Sequence, residues 1–250
     1  MYTQEDIRKV QLRLLEMATA VRDILEHHNL PYFMAYGTLL GAVRHQGFIP
    51  WDDDFDFYLF DDTYQQAIQA LRSQLPPQLF VEDGDSEPLY FHGWAHVKDL
   101  RSITHCEQYP QDGYYSHHGI SLDLYRIKQM KSFEVKDYQA REYIAYLNRR
   151  KALNMISDDD YQQRMKPLLN RQPTPRTAGD DRRVLATTLP ILEQIDLDEV
   201  LPLKRLTFEG TQFLAPCHPE TFLSLRYGND YMQLPPENQR VPHYSGVEFL

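Results

Sequence analysis

Residues 49–57 read IPWDDDFDF and place four aspartates within five positions, beside an alternation of aspartate and phenylalanine. The DFDF part predicts a half-buried strand that extends to Phe60, because successive side chains of a strand point to opposite faces. Asp54 and Asp56 then hold their carboxylates on one face, while phenylalanine enters the core. Two like charges about 4 Å apart repel by roughly 4 kcal/mol at an effective dielectric near 20. The fold therefore needs a compensating charge here.

A divalent cation held by Asp54 and Asp56 would offset this repulsion directly. Paired carboxylates suit Mg²⁺, a hard ion that proteins commonly bind through one or two carboxylates together with substrate phosphates and water. The spacing does not match the loop of an EF-hand. The alternative is an acidic turn that caps the following helix. For Asp52 and Asp61, this structural role and a functional one both stay open.

The pattern around the motif predicts a mixture of helices and strands. A helix over 5–28 follows from apolar residues at helical spacing, and it precedes a strand that ends at a Gly-Thr pair. After about residue 133 the pattern becomes mostly helical or irregular, up to residue 200. The strand before the Gly-Thr pair spans 32–36, and further strands are predicted at 79–82, 89–98, 101–105, 120–127 and 208–215. Further helices are predicted at 38–45, from 61 to just before Pro76, and at 219–226.

The composition is that of a folded, acidic protein. Hydrophobic residues make up 42% of the chain, and 17 Tyr and 12 Phe argue against disorder. The formal net charge of -10 disfavours nucleic acid as the main partner. No secretory signal is visible, and no apolar run approaches the roughly 20 residues of a membrane span. We therefore expect a cytoplasmic protein without a transmembrane segment, with any membrane contact peripheral, at the inner face.

Gly37-Thr38, followed by DFDF after one short helix and a loop, resembles the signature of the nucleotidyltransferase superfold that contains DNA polymerase beta. The resemblance implies an α+β fold in which a mixed sheet is flanked by helices. It also implies that the Gly-Thr turn meets phosphate at a helix N-terminus, where backbone N–H groups favour an anion. That superfold usually supplies a third carboxylate from a neighbouring strand. Asp123, between Leu122 and Leu124 on a predicted strand, matches this position.

Three longer stretches resemble the LicD family of phosphocholine transferases, which includes fukutin and fukutin-related protein. They are YGTLLGAVRHQGFIPWDDDFDF at 36–57, GISLDLYRI at 119–127 and the stretch at 201–236 with its LKR, RYG and LPP elements. The family often continues after its strand aspartate with an apolar-Phe-Pro-acidic run, where this chain reads LYRI, so the shape of the acceptor pocket is left open. His243 matches a late family histidine. The resemblance predicts one domain over 1–250, with a mostly helical insertion at about 133–200.

The family resemblance implies transfer of phosphocholine from CDP-choline to a sugar hydroxyl, with release of CMP. The acceptor is a cell-surface glycan of the lipopolysaccharide or teichoic acid type, or its lipid-linked precursor. Asp54, Asp56 and Asp123 are the expected catalytic and Mg²⁺-binding residues, and Asp123 either completes the metal site or accepts the proton of the attacking hydroxyl. The expected substrate-binding residues are Gly37, Thr38, Arg44, Lys204, Arg205 and Arg226.

Other interpretations remain open at this point. The same aspartates would serve transfer of ribitol phosphate or glycerol phosphate from a CDP derivative. A non-catalytic nucleotide-binding or glycan-binding protein is the alternative from another class, although it has no need of three costly carboxylates. Arg44 is equally well explained by a surface salt bridge, and the other cations by simple solvation. Trp51 and Trp94 could form a wall around a quaternary ammonium or could anchor core and loops.

Overall fold

The acidic motif leads into a seven-stranded mixed sheet flanked by helices. The computed structural model describes residues 2–106, 114–175, 181–187 and 194–250. The strands are β1 Tyr32–Met34, β2 Asp56–Phe60, β3 Leu79–Glu82, β4 Ala95–Asp99, β5 Ser102–His105, β6 Ser121–Lys131, β7 Arg183–Thr187, β8 Gln194–Asp196, β9 Lys204–Phe208, β10 Thr211–Ala215 and β11 Gly246–Phe249. The helices are α1 Gln4–His27, α2 Tyr36–His45, α3 Tyr64–Gln74, α4 Val135–Ala152, α5 Asp158–Leu169, α6 Leu197–Val200 and α7 Pro219–Tyr227.

The long strand β6 organises the main sheet. The strand order is β1-β2-β6-β4-β3, while β7 pairs with the second half of β6 and β8 pairs with β7. The pair β2–β6 is parallel, and the other pairs of this sheet are antiparallel. Two further antiparallel pairs, β9–β10 and β5–β11, complete the strands. The parallel pair matters most for the site, because it sets the ends of two acidic strands side by side.

The first helix is defined by its cap and by one apolar face. Thr3 and Asp6 form a reciprocal capping box at its N-terminus, which satisfies backbone donors that have no partner inside the helix. Asn29, with φ 54°, follows its end. The helix packs against α3 and β6. Its buried apolar residues recur at helical spacing: Ile7, Val10, Leu14, Met17, Ala18, Val21 and Leu25.

Phenylalanines anchor the motif in the core. The side chains of Phe55 and Phe57 are fully buried, with ring centroids 5.0 Å apart. Phe208 and Phe213, from the hairpin β9–β10, contact Phe55 at 5.2 and 5.5 Å between centroids. Burial of such a ring contributes about 1.5–3 kcal/mol. The apolar half of the DFDF alternation therefore fixes the depth of the strand, as the sequence predicted. The prediction of a half-buried strand is wrong, because the opposite face, with Asp56 and Tyr58, is buried as well.

The mixed α+β arrangement predicted from the sequence is confirmed, but several boundaries differ. The prediction that Asp54 lies on a strand is wrong, because β2 begins at Asp56 and Asp54 belongs to the preceding loop. The strand predicted at 89–98 begins only at Ala95. The strand predicted at 208–215 is a hairpin, whose turn at Glu209 and Gly210 has positive φ at both residues.

The predicted insertion at about 133–200 contains α4, α5 and α6. It also contains β7 and β8, which the helical interpretation did not include; both extend the main sheet from β6. Residues 176–180 and 188–193 of this segment lie outside the described residues. The division of the chain into domains stays a prediction. Among the helices that the structure describes, none is both long enough and apolar enough to cross a bilayer.

Candidate functional site

Four polar residues form a row across neighbouring strands of the main sheet. Asp56 on β2 pairs with Asp123 on β6, Asp123 pairs with His96 on β4, and His96 pairs with Glu82 on β3. Paired residues of adjacent strands project from the same face of a sheet. The register therefore brings two carboxylates, an imidazole and a third carboxylate into line. We call this set, Asp56, Asp123, His96 and Glu82, the polar row.

Both carboxylate oxygens of Asp123 have a protein partner. Oδ1 lies 3.1 Å from Nε2 of His96, and Oδ2 accepts a hydrogen bond of 2.7 Å from the hydroxyl of Tyr125. The Asp123 side chain is nonetheless 24% exposed, whereas the His96 side chain is buried, with only 7% of it exposed. Asp123 is thus held on the protein side and remains accessible from the cavity described below.

The loop before β2 brings Asp52 and Asp54 to the end of the polar row. Gly37, near the start of α2, makes this approach possible: a Cβ atom there would lie 2.7 Å from Oδ2 of Asp52. The preceding residue, Tyr36, has a φ of 39°, an uncommon conformation for a non-glycine residue. The hydroxyl of Thr38 accepts a hydrogen bond of 2.9 Å from the backbone N–H of Asp56. The start of α2 is thereby fixed against the acidic motif.

Asp53 contacts residues near both ends of the described chain. Its fully buried carboxylate accepts hydrogen bonds from the backbone N–H groups of His243 (2.7 Å) and Tyr244 (3.1 Å) and from the hydroxyl of Tyr2 (3.1 Å). These contacts place Nδ1 of His243 3.2 Å from Asp53 and 3.5 Å from Asp54. A histidine remote in the sequence thus becomes part of the acidic site.

The site carries more negative charge than its surroundings stabilise. Burial, followed by the neighbouring carboxylate of Asp54, raises the pKa of Asp52 and of Asp56 well above the usual range. Burial also raises the pKa of Asp54, an effect that the cation at His243 opposes. The hydrogen bond to Asp53 raises the pKa of His243 to about 10. The aspartates in turn favour a positive charge on His243.

The same residues fit a metal ion. Ligand atoms of Asp52, Asp54 and His243 lie within 4.8 Å of one another. Oδ1 of Asp54 is buried and has no hydrogen-bond partner among the described residues, which is costly for a carboxylate oxygen unless a cation binds it. Carboxylate oxygens suit Mg²⁺, whereas imidazole is more typical of transition metals. The Nδ1 atom of His243 faces Asp53 as well, so it serves as a hydrogen-bond donor in this arrangement.

A cavity of about 1410 Å³ opens above these groups. Its acidic end contains Asp52, Asp54, Asp56, Asp123 and His243. Aromatic side chains form much of the remaining wall, and Trp94 packs against Tyr125 with ring centroids 5.0 Å apart. Helices α4 and α5 contribute Tyr143, Tyr146 and Arg164 to the far side. The volume is sufficient for a nucleotide-sized ligand together with a second substrate.

Five of the residues predicted for the site line this cavity: Gly37, Asp54, Asp56, Asp123 and Arg226. Thr38 is buried beneath it, with its hydroxyl engaged by the backbone of Asp56. The other predicted cations lie elsewhere. Arg44 donates to the carbonyl oxygens of Tyr231 (2.9 Å) and Gln233 (3.1 Å).

The cations of β9 are also separate from the cavity. Arg205 forms a bidentate pair with Glu26 at 2.8 and 3.0 Å. Lys204 is exposed at the start of the strand. Trp51, the other tryptophan considered for an aromatic wall, lies under the guanidinium of Arg240, 5.3 Å from it. In this structure Arg205 and Trp51 therefore make structural contacts, and Lys204 is a surface residue.

Arg226 differs from these cations. Its guanidinium carbon lies 5.5 Å from the ring centroid of Tyr36, next to the start of α2. Its Nε is buried and has no hydrogen-bond partner among the described residues. A buried guanidinium nitrogen without an acceptor is suited to an anionic ligand, because arginine contacts phosphate in a planar, bidentate manner.

Several residues of the site were not assigned from the sequence. The role of Asp52 was left open, and His243 was matched only to a family histidine. His96, Glu82 and Tyr125 were not considered. The sequence does carry a signal for Tyr125, which stands two positions after Asp123 and so shares its strand face. His96 and Glu82 belong to the site because of the register of their strands, and a single sequence does not reveal that register.

The fold and site define a mixed α+β structure with an acidic cluster at one end of a large cavity. Residues 29–144 match the family described as LicD/FKTN/FKRP, nucleotidyltransferase domain. The chain therefore contains a LicD-family domain. This range includes β1, α2, the acidic motif, the polar row and part of α4, whereas Arg226 and His243 lie outside it.

Curated relatives support the assignment over part of their length. The lipopolysaccharide cholinephosphotransferase LicD of Haemophilus influenzae is 41% identical over 64 residues, which are 26% of this chain and 24% of that protein. An uncharacterized protein of Rickettsia typhi is 32% identical over 152 residues, or 56% of this chain and 46% of the relative. One of Rickettsia prowazekii is 29% identical over 150 residues, or 56% and 54%. The chain thus spans about half of the latter two relatives and a quarter of the first.

Proposed function

We propose that this protein transfers phosphocholine from CDP-choline to a sugar hydroxyl of a cell-surface glycan, in a Mg²⁺-dependent reaction that releases CMP. The observation that carries the proposal is the in-register pair Asp56 and Asp123, beside the unpartnered buried Oδ1 of Asp54. The LicD-family domain and the name of the Haemophilus relative support the reaction class. We also infer a nucleotidyltransferase-like fold, because a parallel strand pair presents the carboxylates beside a Gly-Thr turn.

The proposed metal ligands are Asp54 and Asp56, with Asp123 as a third ligand or as the base. When bound there, Mg²⁺ would supply positive charge that neutralises the phosphates of the donor as the leaving group departs. Arg226 and the backbone at Gly37 would contact the diphosphate. Asp52 adds negative charge next to Gly37 and so helps to make a bound cation favourable at this end of the cavity.

The transfer is a displacement at phosphorus. The acceptor hydroxyl oxygen forms a bond to the phosphorus of the phosphocholine group, and the bond between that phosphorus and the bridging oxygen of the diphosphate breaks. The electron pair of that bond leaves with CMP. The hydroxyl proton passes to the carboxylate of Asp123 where Asp123 acts as the base. The exposed part of the Asp123 side chain, 24%, allows a hydroxyl to approach from the cavity.

The cavity wall favours choline over a polyol as the transferred group. Trp94 and Tyr125 pack together, and the ring of His92 lies 4.5 Å from that of Trp94. All three residues line the cavity. A quaternary ammonium is attracted to aromatic faces, whereas ribitol or glycerol requires hydrogen-bonding side chains. We therefore propose phosphocholine as the transferred group, with ribitol phosphate and glycerol phosphate as the alternatives.

The acceptor is inferred to be a glycan of the lipopolysaccharide or teichoic acid type, or its lipid-linked precursor. The proposed compartment is the cytoplasm, with peripheral contact at the inner face of the membrane, where CDP-linked donors and lipid-linked precursors could meet. The net charge of -10 supports a partner other than nucleic acid.

Release of CMP from a panel of CDP-linked donors tests the proposal. Purified protein is incubated with CDP-choline, CDP-ribitol or CDP-glycerol, with and without a glycan acceptor, in Mg²⁺ or in a chelator. We expect CMP from CDP-choline in Mg²⁺ only, with acceleration by the acceptor. The matched control is Asp62→Asn, since Asp62 is exposed and lies outside the cavity lining. No release from any donor, unchanged by chelation, would reject the enzymatic function.

A further inference from the structure

We infer that His96, held from behind by Glu82, is a positioning residue that fixes the carboxylate of Asp123 for metal binding and transfer. The inference rests on the proposed function for the role of Asp123. It goes beyond that function because it assigns a task to two buried residues on β4 and β3, the strands farther along the sheet from the acidic motif.

The geometry of the polar row carries the inference. Nε2 of His96 lies 3.1 Å from Oδ1 of Asp123, and Nδ1 lies 3.3 Å from Oε2 of Glu82. The imidazole therefore bridges two carboxylates from the strands on either side of β4. A ring held at both nitrogens cannot rotate without losing one contact. His96 is 5% exposed and Glu82 is fully buried, so water does not readily replace either contact.

Asp123 is consequently fixed at two points. His96 holds Oδ1, and the hydroxyl of Tyr125 holds Oδ2 at 2.7 Å. A carboxylate oxygen has two lone pairs, so each oxygen can still accept a second partner. The plane of the carboxylate is set by the protein, while capacity for a metal ion or a hydroxyl proton is retained. Carboxylates that bind metal ions are commonly held in this way by hydrogen bonds from outer residues.

A purely structural role is the competing explanation. Glu82 also lies 3.8 Å from Nζ of Lys98, so His96 and Lys98 could serve only to compensate a buried carboxylate. The two explanations differ in what a substitution changes. Loss of charge compensation lowers stability and leaves metal affinity unchanged, whereas loss of positioning lowers metal affinity and the rate of transfer.

The test uses the full chain with His96→Phe, which keeps an aromatic ring and removes both nitrogens. Mg²⁺ and Mn²⁺ affinity is measured by isothermal titration calorimetry without donor, and kcat and KM for CDP-choline are measured separately. We expect metal affinity and kcat to fall by about 10–100-fold, the range typical of residues that orient a ligand, with KM changed much less. His96→Gln, which keeps one amide donor toward Asp123, should recover part of the loss.

The matched control is His218→Phe. His218 also pairs with a carboxylate, Glu220 at 3.4 Å, but it is exposed and outside the cavity lining. This variant should retain the affinity and kcat of the parent protein. Should His96→Phe fail to fold, Glu82→Gln provides the same test, with a smaller loss in the same direction.

The effects of His96→Phe and Asp123→Asn on metal affinity should also be less than additive, because one residue acts through the other. Unchanged metal affinity and kcat in folded His96→Phe, or full additivity with Asp123→Asn, would overturn the inference. Metal affinity is read without turnover. A parent protein that binds metal but releases no CMP would therefore reject the proposed function and leave the positioning role to be decided by calorimetry.

Discussion

Asp56 and Asp123 are directly paired residues of two parallel strands, although the segments that carry them are far apart in the sequence. The proximity of Asp123 contributes to the raised pKa of Asp56, after burial and the charge of Asp54. The pair lies at the acidic end of the cavity, where a cation would relieve the repulsion.

Substitution Asp56→Asn should abolish transfer while the fold is retained. We expect kcat to fall by more than about 100-fold, since residues that merely orient a ligand already account for 10–100-fold. The metal-free variant should be more stable than the parent protein, because burial disfavours the charge that the amide removes. CMP release and urea denaturation measure the two effects. Parent-level activity in a folded Asp56→Asn protein would contradict the metal assignment.

Stabilisation by Mg²⁺ should increase with pH. The folded-state pKa values of Asp52, Asp54 and Asp56 are raised, so without metal the folded state binds more protons than the unfolded state, and these groups reduce stability as pH rises. A metal ion competes with those protons. Thermal denaturation at about pH 5.5 and about pH 8, with Mg²⁺ and with chelator, should show the larger Mg²⁺-induced rise in Tm at the higher pH. An equal rise at both values would argue against carboxylate ligation.

Gly37→Ala should weaken metal binding by displacing Asp52. The added Cβ would lie 2.7 Å from Oδ2 of Asp52, closer than atoms tolerate, and the carboxylate must move. We expect a loss of Mg²⁺ affinity of about 10-fold, comparable with the loss of an orienting contact. Gly93→Ala is the control, because a Cβ there meets no atom within 4 Å. Calorimetric titration of both variants decides the point, and equal affinities would show that Asp52 accommodates the methyl group.

Arg226→Gln should impair binding of the donor. The buried Nε of Arg226 has no protein acceptor among the described residues, and hydrogen bonds to charged groups contribute about 1.5–3 kcal/mol. The KM for the CDP-linked donor should therefore rise by roughly 10-fold or more. Arg205→Gln provides the comparison, since Arg205 pairs with Glu26 on the surface. Steady-state kinetics that showed the same KM for both variants would remove Arg226 from the donor site.

Asp53→Ala should destabilise the protein more than it affects metal affinity. The buried carboxylate accepts four hydrogen bonds, two of them from the backbone N–H groups of His243 and Tyr244. Leaving such donors unsatisfied costs about 1–3 kcal/mol each. Urea denaturation should show a loss of several kcal/mol, and limited proteolysis should show release of the segment around His243. A variant as stable as the parent protein would mean that water replaces Asp53 at these donors.

The sequence by itself determined part of the local structure of the motif. Alternation of aspartate with phenylalanine predicted which side chains enter the core, and Phe55 and Phe57 are fully buried. Helical periodicity predicted α1 to within one residue, and it predicted α2 from residue 38, whereas α2 begins at Tyr36 and includes the Gly-Thr pair in its first turn. These features depend on neighbours in the chain, so the pattern of a short segment is sufficient.

Tertiary structure alone decided which distant residues complete the site. Strand register placed His96 and Glu82 in line with Asp123, and the hydrogen bonds of Asp53 brought His243 beside Asp54. The same packing directed Arg205 to Glu26 and left Arg226 at the cavity. Register and long-range pairing are set by the fit of whole faces across the sheet, and a one-residue slip would turn each of these side chains to the opposite face.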